Sequence, residues 1–495
     1  MWSDRIPTAR RRRLTERLLS ILPAPQSHSR GAKTPLRVAS GRGGRTVPGP
    51  EAVAEALRSE PGFAWLDGGN VGHRLHARPL ATLTTRGGRA TVSGPGGSAR
   101  FAAGGWDLLD AAFTAWGGAG AGAALVGFLG YELGGELETL PSPPPDDLEL
   151  PDLHLALYDS ALVWDGRGWT LETTDAWRGG TDSVIAAERV LAAARPSPPG
   201  PLSQGGEMGW WERGGRGVRV VSRPHRAGFE AAVVRIVERI ATGEIFQVNL
   251  CRRLEAPLPA DRVWPLYRRL RAASPSGQGA FLDLGRGRAV LSISPELFLS
   301  LREGEVESRP IKGTRPRGAN PRDDRALARE LLASEKDRAE LTMIVDVVRN
   351  DLGRVCEAGS VEVVQHAELV TLPTLHHTVS TVRGRLREGA GPVELLRASF
   401  PPASITGAPK IQAMSVIAAE EERRRGPAMG AVGWISLGGN LELSVSIRTA
   451  AAARGRVAYH AGCGIVADSD PELEFAESAA KARAFLAALG AAETS

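Results

Sequence analysis

The order of the apolar patterns most constrains the fold of this chain, because strand-like and helix-like segments do not alternate. Residues 48–195 run as short apolar stretches between glycine-rich turns, among them Phe63–Leu66, Ala123–Leu129 and Leu153–Trp164, the last with partial period-two alternation. Downstream, helical periods join in. Phe229, Ala232, Val233, Ile236 and Ile240 mark one face of a helix ending near Ala241, and Arg325–Asp351 repeats the helical period. Short strand patterns then occur at Ala289–Ser294, Val361–Val364, Ala431–Leu437, Leu443–Ala450 and Arg456–Ala461. Parallel barrels and doubly wound sheets need a regular strand–helix alternation. Its absence argues against both and predicts an α+β fold, with large antiparallel sheets packed as a sandwich and helices outside.

Two proline-rich breaks interrupt the chain, at residues 141–145 and at 195–206 (RPSPPGPLSQGG). The second is the better boundary. The expected organisation is a basic N-terminal arm over 1–47, a mainly β domain over 48–195, a Pro/Gly-rich linker over 196–224 and a catalytic domain over 225–490. The run Arg10–Arg13 is followed by a short apolar stretch that Pro23 and Pro25 cut off without a cleavage site, so it reads as a solvated arm and not a targeting signal. Ala111–Tyr131 is uncharged and long enough to span a bilayer, but its six glycines favour a buried helix or strand running through a turn, and no transmembrane helix is expected.

At 42% hydrophobic over 495 residues, the chain can bury a sizeable core. Its net charge of +5 is small for this length and argues against a nucleic-acid partner. Cys251, Cys356 and Cys463 are too few for a disulfide framework and lack metal-ligand spacing, as expected of a reduced, cytoplasmic protein. The basic residues are more telling. Of 61, only five are lysine: Lys33, Lys312, Lys336, Lys410 and Lys481. Arginine stays protonated, whereas lysine can lose its proton and act as a nucleophile or base, so each lysine is a candidate for work that arginine cannot do.

Five segments carry candidate chemistry. In Arg309–Gly318, Pro310, Gly313 and Pro316 impose a non-helical path that presents Lys312, with Ser294-Pro295-Glu296 upstream. A nucleophilic lysine must shed its proton, which takes burial or a neighbouring cation. The plainer reading is a surface lysine among Arg309, Arg315 and Arg317. On the helix after Ser334, Met343, Ile344, Val347 and Val348 form an apolar stripe that Glu340 borders, so its carboxylate needs a partner, either a metal ion or an arginine. In Ala461–Glu477, Gly462 and Gly464 let backbone approach a ligand with N–H groups free for an anion. Asp470 and Pro471 start a helix on which Glu474 and Glu477 share a face, with Lys481 a turn beyond. Two carboxylates on one face suit Mg2+. The helix dipole alone explains Glu472 and Glu474 but Glu477 less well.

The fourth segment, Ser404–Lys410, is a hydroxyl-rich turn entering a helix near Pro409, a type of helix start that binds anions. In the fifth, Ser444–Thr449, alternation puts Ser444, Ser446 and Arg448 on one strand face, with Arg448 a carboxylate clamp. His376 and His377 are adjacent, so on a strand they face opposite ways, one toward substrate and one structural. Cys463 has no histidine pattern near it and is not read as a nucleophile.

Together these segments resemble the chorismate-utilising enzymes, a family that includes anthranilate synthase component I, aminodeoxychorismate synthase component I and the isochorismate and salicylate synthases. The resemblance is strong over about Ala227–Ala488, and Ala124–Leu133 (ALVGFLGYEL) and Gly243–Leu250 (GEIFQVNL) also look like family segments. Pro310-Ile311-Lys312-Gly313-Thr314 and Ser404-Ile405-Thr406-Gly407 are similar to the aminodeoxychorismate branch, since anthranilate synthases typically carry alanine where Lys312 stands. The resemblance implies that Lys312 attacks C2 of chorismate with Glu296 as general acid, and that ammonia then adds at C4, giving 4-amino-4-deoxychorismate for 4-aminobenzoate and folate synthesis. It implies Mg2+ held by Glu340 and Glu477 with Glu474 nearby, and substrate held by Arg448, Gly462, Gly464, Lys481, His377, Ser404 and Thr406. It also implies a separate glutamine amidotransferase subunit as the ammonia source, since no glutaminase module is visible. Two positions depart from the family pattern: Leu341, where many relatives have His or Asn, and Trp434, where relatives often have Tyr. Phe63–Gly69 (FAWLDGG) lies near where relatives can hold tryptophan.

Overall fold

The structure, a computed structural model, describes residues 8–25, 36–40, 47–68, 72–120, 122–174, 176–177, 188–194, 218–372, 375–491 and 493. Two twelve-stranded sheets, antiparallel throughout, dominate it. The first runs from Leu36–Ser40 at one edge, through Ala64–Gly68, Gln278–Asp283, Ala289–Ser294, Thr449–Ala453 and Arg456–Ile465, to Gln247–Pro257 near the other edge. The second runs from Ile311–Pro316 through Leu375–Arg385, Leu297–Arg302, Leu441–Val445, Ala431–Ser436 and Ala124–Leu129 to Gly97–Ala102. Between them Leu66, Leu282, Val290 and Ala451 of the first sheet meet Val126, Phe128, Val432 and Trp434 of the second in one apolar cluster. Helices cover both outer faces: Val263–Ala273 and Pro471–Leu489 over the first sheet, Gly105–Trp116 and Glu335–Gly353 over the second. This is the expected α+β sandwich. Thr449–Ala453 (TAAAA) is a poor strand former by composition. It holds its place because Ala289–Ser294 and Arg456–Ile465 pair with it on either side.

The structure redraws several expected boundaries. The two halves of the chain share both sheets: Ala64–Gly68 pairs with Gln278–Asp283, and Ala124–Leu129 with Ala431–Ser436. Separating residues 48–195 from 225–490 would leave long unpaired strand edges on each. Most of the 196–224 linker, with Lys33, lies outside the described residues. The basic arm is not wholly solvated. Thr8–Ile21 is a helix whose Leu14, Leu18 and Ile21 are buried, as is Leu22 just beyond it. It packs on Gly105–Trp116, and Trp116 Nε1 donates to the Leu22 carbonyl at 3.1 Å. Burying an aliphatic side chain gives about 1.5–3 kcal/mol, enough to override the repulsion of four arginines. The helical pattern over Arg325–Asp351 is two helices, Pro321–Ala333 and Glu335–Gly353, because Ser334 leaves helical conformation and caps the second through Asp337 N–H. Among the described residues no helix is long and apolar enough to cross a membrane.

Candidate active site

The site forms where the chain twice crosses from one sheet to the other. Ala289–Ser294 belongs to the first sheet and Leu297–Arg302 to the second, and Glu296 sits in the step between. Leu441–Val445 belongs to the second and Thr449–Ala453 to the first, and Arg448 sits in that step. The steps touch: Val445 N–H donates to the Glu296 carbonyl at 3.0 Å. Arg448 is therefore not on a strand face. The alternation at Ser444–Thr449 runs through a crossing, where Arg448 adopts a left-handed conformation (φ +49°). Its guanidinium makes no ion pair or side-chain hydrogen bond among the described residues, and burial lowers its pKa. A sequestered, unpaired guanidinium is a ready carboxylate site.

Glu296 is buried, and burial pushes its carboxyl up to about 7 against the Ser404 hydroxyl, the Lys312 ammonium and the Ile311 N–H, which favour the charged form. Ser404 Oγ lies beside this carboxyl without closing a hydrogen bond of ordinary geometry. Lys312 lies on the strand Ile311–Pro316 opposite Thr378, next to a register irregularity at Gly313. Gly313 has φ +72°, and a Cβ there would stand 2.7 Å from Leu331 Cδ1, so the turn that aims Lys312 needs glycine. Lys312 Nζ stands 3.6 Å from Glu340 Oε2, which also accepts from Gln247 Nε2 at 3.2 Å. Gly464 is the floor under this cluster: a Cβ would be 2.2 Å from Gln247 Nε2, 3.1 Å from Glu340 Oε2 and 3.3 Å from Lys312 Nζ. Gly462 and Gly464 lie within a strand, in register with Cys251 and Asn249, so they contribute close approach and a carbonyl and not an open amide loop.

Each of the three acidic candidates is paired with one of the rare lysines. Lys312 faces Glu340, Lys336 Nζ lies 3.4 Å from Glu474 Oε1, and Lys481 Nζ lies 2.7 Å from Glu477 Oε1 while donating to the Gly462 carbonyl at 2.9 Å. Burial raises the Glu340 pKa, opposed by Lys312 and Lys336 and reinforced by the nearby Glu477 charge. Burial also acts to raise Glu477, but the Lys481 ion pair outweighs it and leaves the pKa lowered. The side chains of Glu477 and Lys481 are 49% and 38% exposed, so this end of the cluster opens to solvent. Glu474 is buried. Its Oε1 accepts from Ser469 Oγ at 2.6 Å, while Oε2 has no partner. Mg2+ takes one or two carboxylates, waters and substrate oxygens. Glu340, Glu477 and the orphaned Glu474 Oε2 offer that chemistry, with charge now balanced by three ammonium groups. Among the described residues no three His, Cys, Asp or Glu side chains form a closed metal cage.

The two histidines face opposite ways. His376 Nε2 meets Asp324 Oδ1 at 2.9 Å and Nδ1 meets Thr371. His377 Nδ1 meets Thr314 Oγ1 at 2.9 Å and the Gly313 carbonyl at 3.3 Å, and its buried Nε2 has no partner. Burial, then the Arg448 charge, pushes His377 down to about 4, so it is neutral at pH 7. With Nδ1–H toward Gly313, Nε2 is left as a buried acceptor without a partner.

Thr406 does not face this cluster. Its hydroxyl donates to the Pro402 and Ala403 carbonyls and its own carbonyl accepts from Asn249, so it holds the turn that carries Ser404. Lys410 is structural: Nζ donates to Asp351 at 2.5 Å and to the Ser399 and Pro401 carbonyls at 2.9 Å. Cys463 is buried with its thiol pushed well up, unsuited to attack. Leu341 is fully buried in the core, so a polar residue there would be mismatched. Trp434 sits between the sheets under Arg74 at 4.8 Å, beside the Ala64–Gly68 strand. Two residues had no sequence signal. Gln247 lies in GEIFQVNL, but only the fold shows that its amide meets Glu340. Arg425 is buried, paired with Glu421, and donates to the Ile405 and Asn249 carbonyls, tying the Ser404 turn to the Gln247 strand.

A sequence profile for chorismate binding enzymes matches residues 62–487. The chain is 39% identical over 387 residues to anthranilate synthase component 1 of Streptomyces coelicolor, covering 74% of this chain and 73% of that one. It is 39% identical over 361 residues to aminodeoxychorismate synthase component 1 of Klebsiella aerogenes, covering 71% and 74%. The crystal structure of anthranilate synthase component I from Streptococcus pneumoniae superposes with a TM-score of 0.71 at 26% identity, over 90% of this chain and all of that one.

Proposed function

The chain belongs to the chorismate-binding enzymes, and on that premise we propose that it is component I of an aminodeoxychorismate synthase. The relatives' names divide between two aminations of chorismate, so the choice rests on the site. The observation that carries it is Lys312, whose amine stands 3.6 Å from Glu340 above Gly464 and within the field of Glu296. Once its proton has passed to solvent, the amine can attack C2 of chorismate as the C4 hydroxyl leaves, with Glu296 giving that hydroxyl its proton. Ammonia then bonds to C4, the C2–Lys312 bond breaks, and the products are 4-amino-4-deoxychorismate and water. A carboxyl raised to about 7 is protonated often enough at neutral pH to serve as that acid. Arg448 and Lys481 hold the substrate carboxylates, and His377 Nε2 and Ser404 Oγ are free to hydrogen-bond its one hydroxyl. Glu340, Glu477 and Glu474 would hold Mg2+, which when bound polarises the ring carboxylate as a Lewis acid.

On this reading the product feeds 4-aminobenzoate and folate synthesis. A separate glutamine amidotransferase supplies the ammonia, in keeping with relatives named as component 1. Three buried, unpaired cysteines suit a cytoplasmic setting. The test is product identity. With chorismate, ammonium chloride, Mg2+ and a lyase that removes pyruvate, the protein should give para-aminobenzoate. Ortho-aminobenzoate would overturn the reading in favour of anthranilate synthase, and turnover without nitrogen would point to isochorismate or salicylate chemistry.

A further inference from the structure

We propose that the chain carries a second binding site, an arginine-lined groove at the end of the second sheet away from Lys312, which takes a small ligand bearing a chain of phosphates. The inner face of that sheet changes character toward its Gly97–Ala102 edge. Residues directly opposite on neighbouring antiparallel strands share a face, so one row across the sheet reads Val432, Phe128, His154, Thr84, Thr91 and Arg100. The row starts in the apolar cluster between the sheets and turns polar over Ala81–Arg86, Arg89–Gly94 and Gly97–Ala102. The next row ends in Thr82, Ser93 and Ser98, and on the other side of the first Arg86 stands opposite Arg89. The outer face of these strands is sealed, since Leu83, Ala90 and Val92 pack in the cluster that holds the N-terminal helix. The polar inner face stays open and walls a groove of about 1000 Å³, whose other side is the hairpin turn Leu284–Arg288 of the first sheet.

The groove is short of counter-ions. Arg89, Arg100 and Arg286 line it with no ion pair or side-chain hydrogen bond among the described residues, and Arg288 donates only to the Gly285 and Leu284 carbonyls. The carboxylate in its lining, Glu149, is taken by Arg454 at 2.5 Å, and Arg86 is taken by Asp146 at 2.9 Å. Three guanidinium charges, two from the strands and one from the hairpin, therefore stand on opposite walls with no carboxylate paired to them. Like charges gathered this way repel unless an anion lies among them. Arg286 also holds a left-handed conformation (φ +58°) that glycine adopts more easily, so the turn keeps this side chain against a conformational cost. Charge and shape select the anion. Guanidinium forks match phosphate oxygens in pairs. One carboxylate could satisfy one wall, whereas a di- or triphosphate carries charge and oxygens toward both. The threonine and serine hydroxyls beside the arginines suit further phosphate oxygens or a sugar. The volume is that of a small-molecule site, and its inner end is closed by buried His154, which favours a small molecule over a nucleic-acid strand.

Calorimetric titration of the full chain without Mg2+, using inorganic tripolyphosphate and ATP as probes, tests this. Both should bind, and Arg89→Gln combined with Arg286→Gln should weaken each at least tenfold. Arg322→Gln combined with Arg325→Gln removes equal charge from the Pro321–Ala333 helix at the other edge of the sheet and should leave both affinities within twofold of wild type. Equal affinity for the two probes would mean that the phosphates alone are read, and tighter ATP that the hydroxyl rows also hold its sugar. Under the amination reading, KM for chorismate and KM for ammonia should stay within twofold of wild type in both variants, since Lys312 lies on the far edge strand. Failure of both probes to bind below about 1 mM, equal weakening in the control, or a rise in either KM confined to the Arg89–Arg286 variant overturns the proposal. So does a mixed-sequence single-stranded DNA that binds more tightly than ATP and loses that affinity in the same variant, which would make the groove a nucleic-acid surface.

Discussion

The buried acid makes a prediction in which stability and catalysis part. Burial moves Glu296 from 4.5 to about 7, and a tenfold change in a protonation equilibrium is about 1.4 kcal/mol, so the fold disfavours the ionised form by about 3 kcal/mol. Between about pH 4.5 and 7 the folded protein keeps a proton that the unfolded chain releases. Stability from this group is therefore full below pH 4.5, falls as pH rises through that window, and is lowest above 7. Glu296→Gln cannot ionise. It should match wild type in stability near pH 4.5, exceed it by about 3 kcal/mol at pH 8, and fail to aminate at any pH. Urea unfolding of both proteins at both pH values measures this, and taking the difference cancels groups that titrate alike in each. In wild type, amination should decline as pH rises past about 7. A stability difference that does not change with pH would refute the burial argument, and retained amination would refute the role as acid.

Arg448→Gln should raise KM for chorismate at least tenfold while leaving stability within about 1 kcal/mol of wild type, because the guanidinium gives up no ion pair; steady-state kinetics and a urea melt report both. Glu340→Gln should abolish the dependence of turnover on added Mg2+, along with turnover itself, without changing the melting midpoint, and full activity after chelation would remove the metal assignment. Leu18→Ala should cost about 2–4 kcal/mol through the cavity it leaves under the N-terminal helix and leave both KM values unchanged, as urea melts and kinetics would show. Wild-type stability there would mean that the helix does not pack as described.

What the sequence revealed of the site was its local part. Asp470 capping the helix of Glu474 and Glu477 and the glycine-dependent path at Lys312 depend on neighbours a few residues away, and each is where the pattern put it, whereas the buried stripe beside Glu340 is Leu341, Ile344, Val345 and Val348, with Met343 and Val347 only partly covered. Arg448 was misplaced because period-two alternation persists across a point where the chain changes sheets, and nothing local marks the crossing. Leu14, Leu18, Ile21 and Leu22 were visible beside the arginines, but their partner, the Gly105–Trp116 helix, lies some ninety residues away in sequence. That the two halves share both sheets was hidden for the same reason, since the strands that join them look like any others until paired. Gln247 and Arg425 act through contacts 93 and 176 residues distant, beyond any periodicity.

The account turns on covalent attack by one lysine, and intact mass after rapid mixing tests it most directly. Incubated with chorismate and Mg2+ but no nitrogen source, the protein should gain the mass of chorismate less one water, mapped to the peptide that contains Lys312, and added ammonia should discharge it as aminated product. Lys312→Met should show neither adduct nor amination. Normal amination by that variant, with no adduct in wild type, would contradict the account.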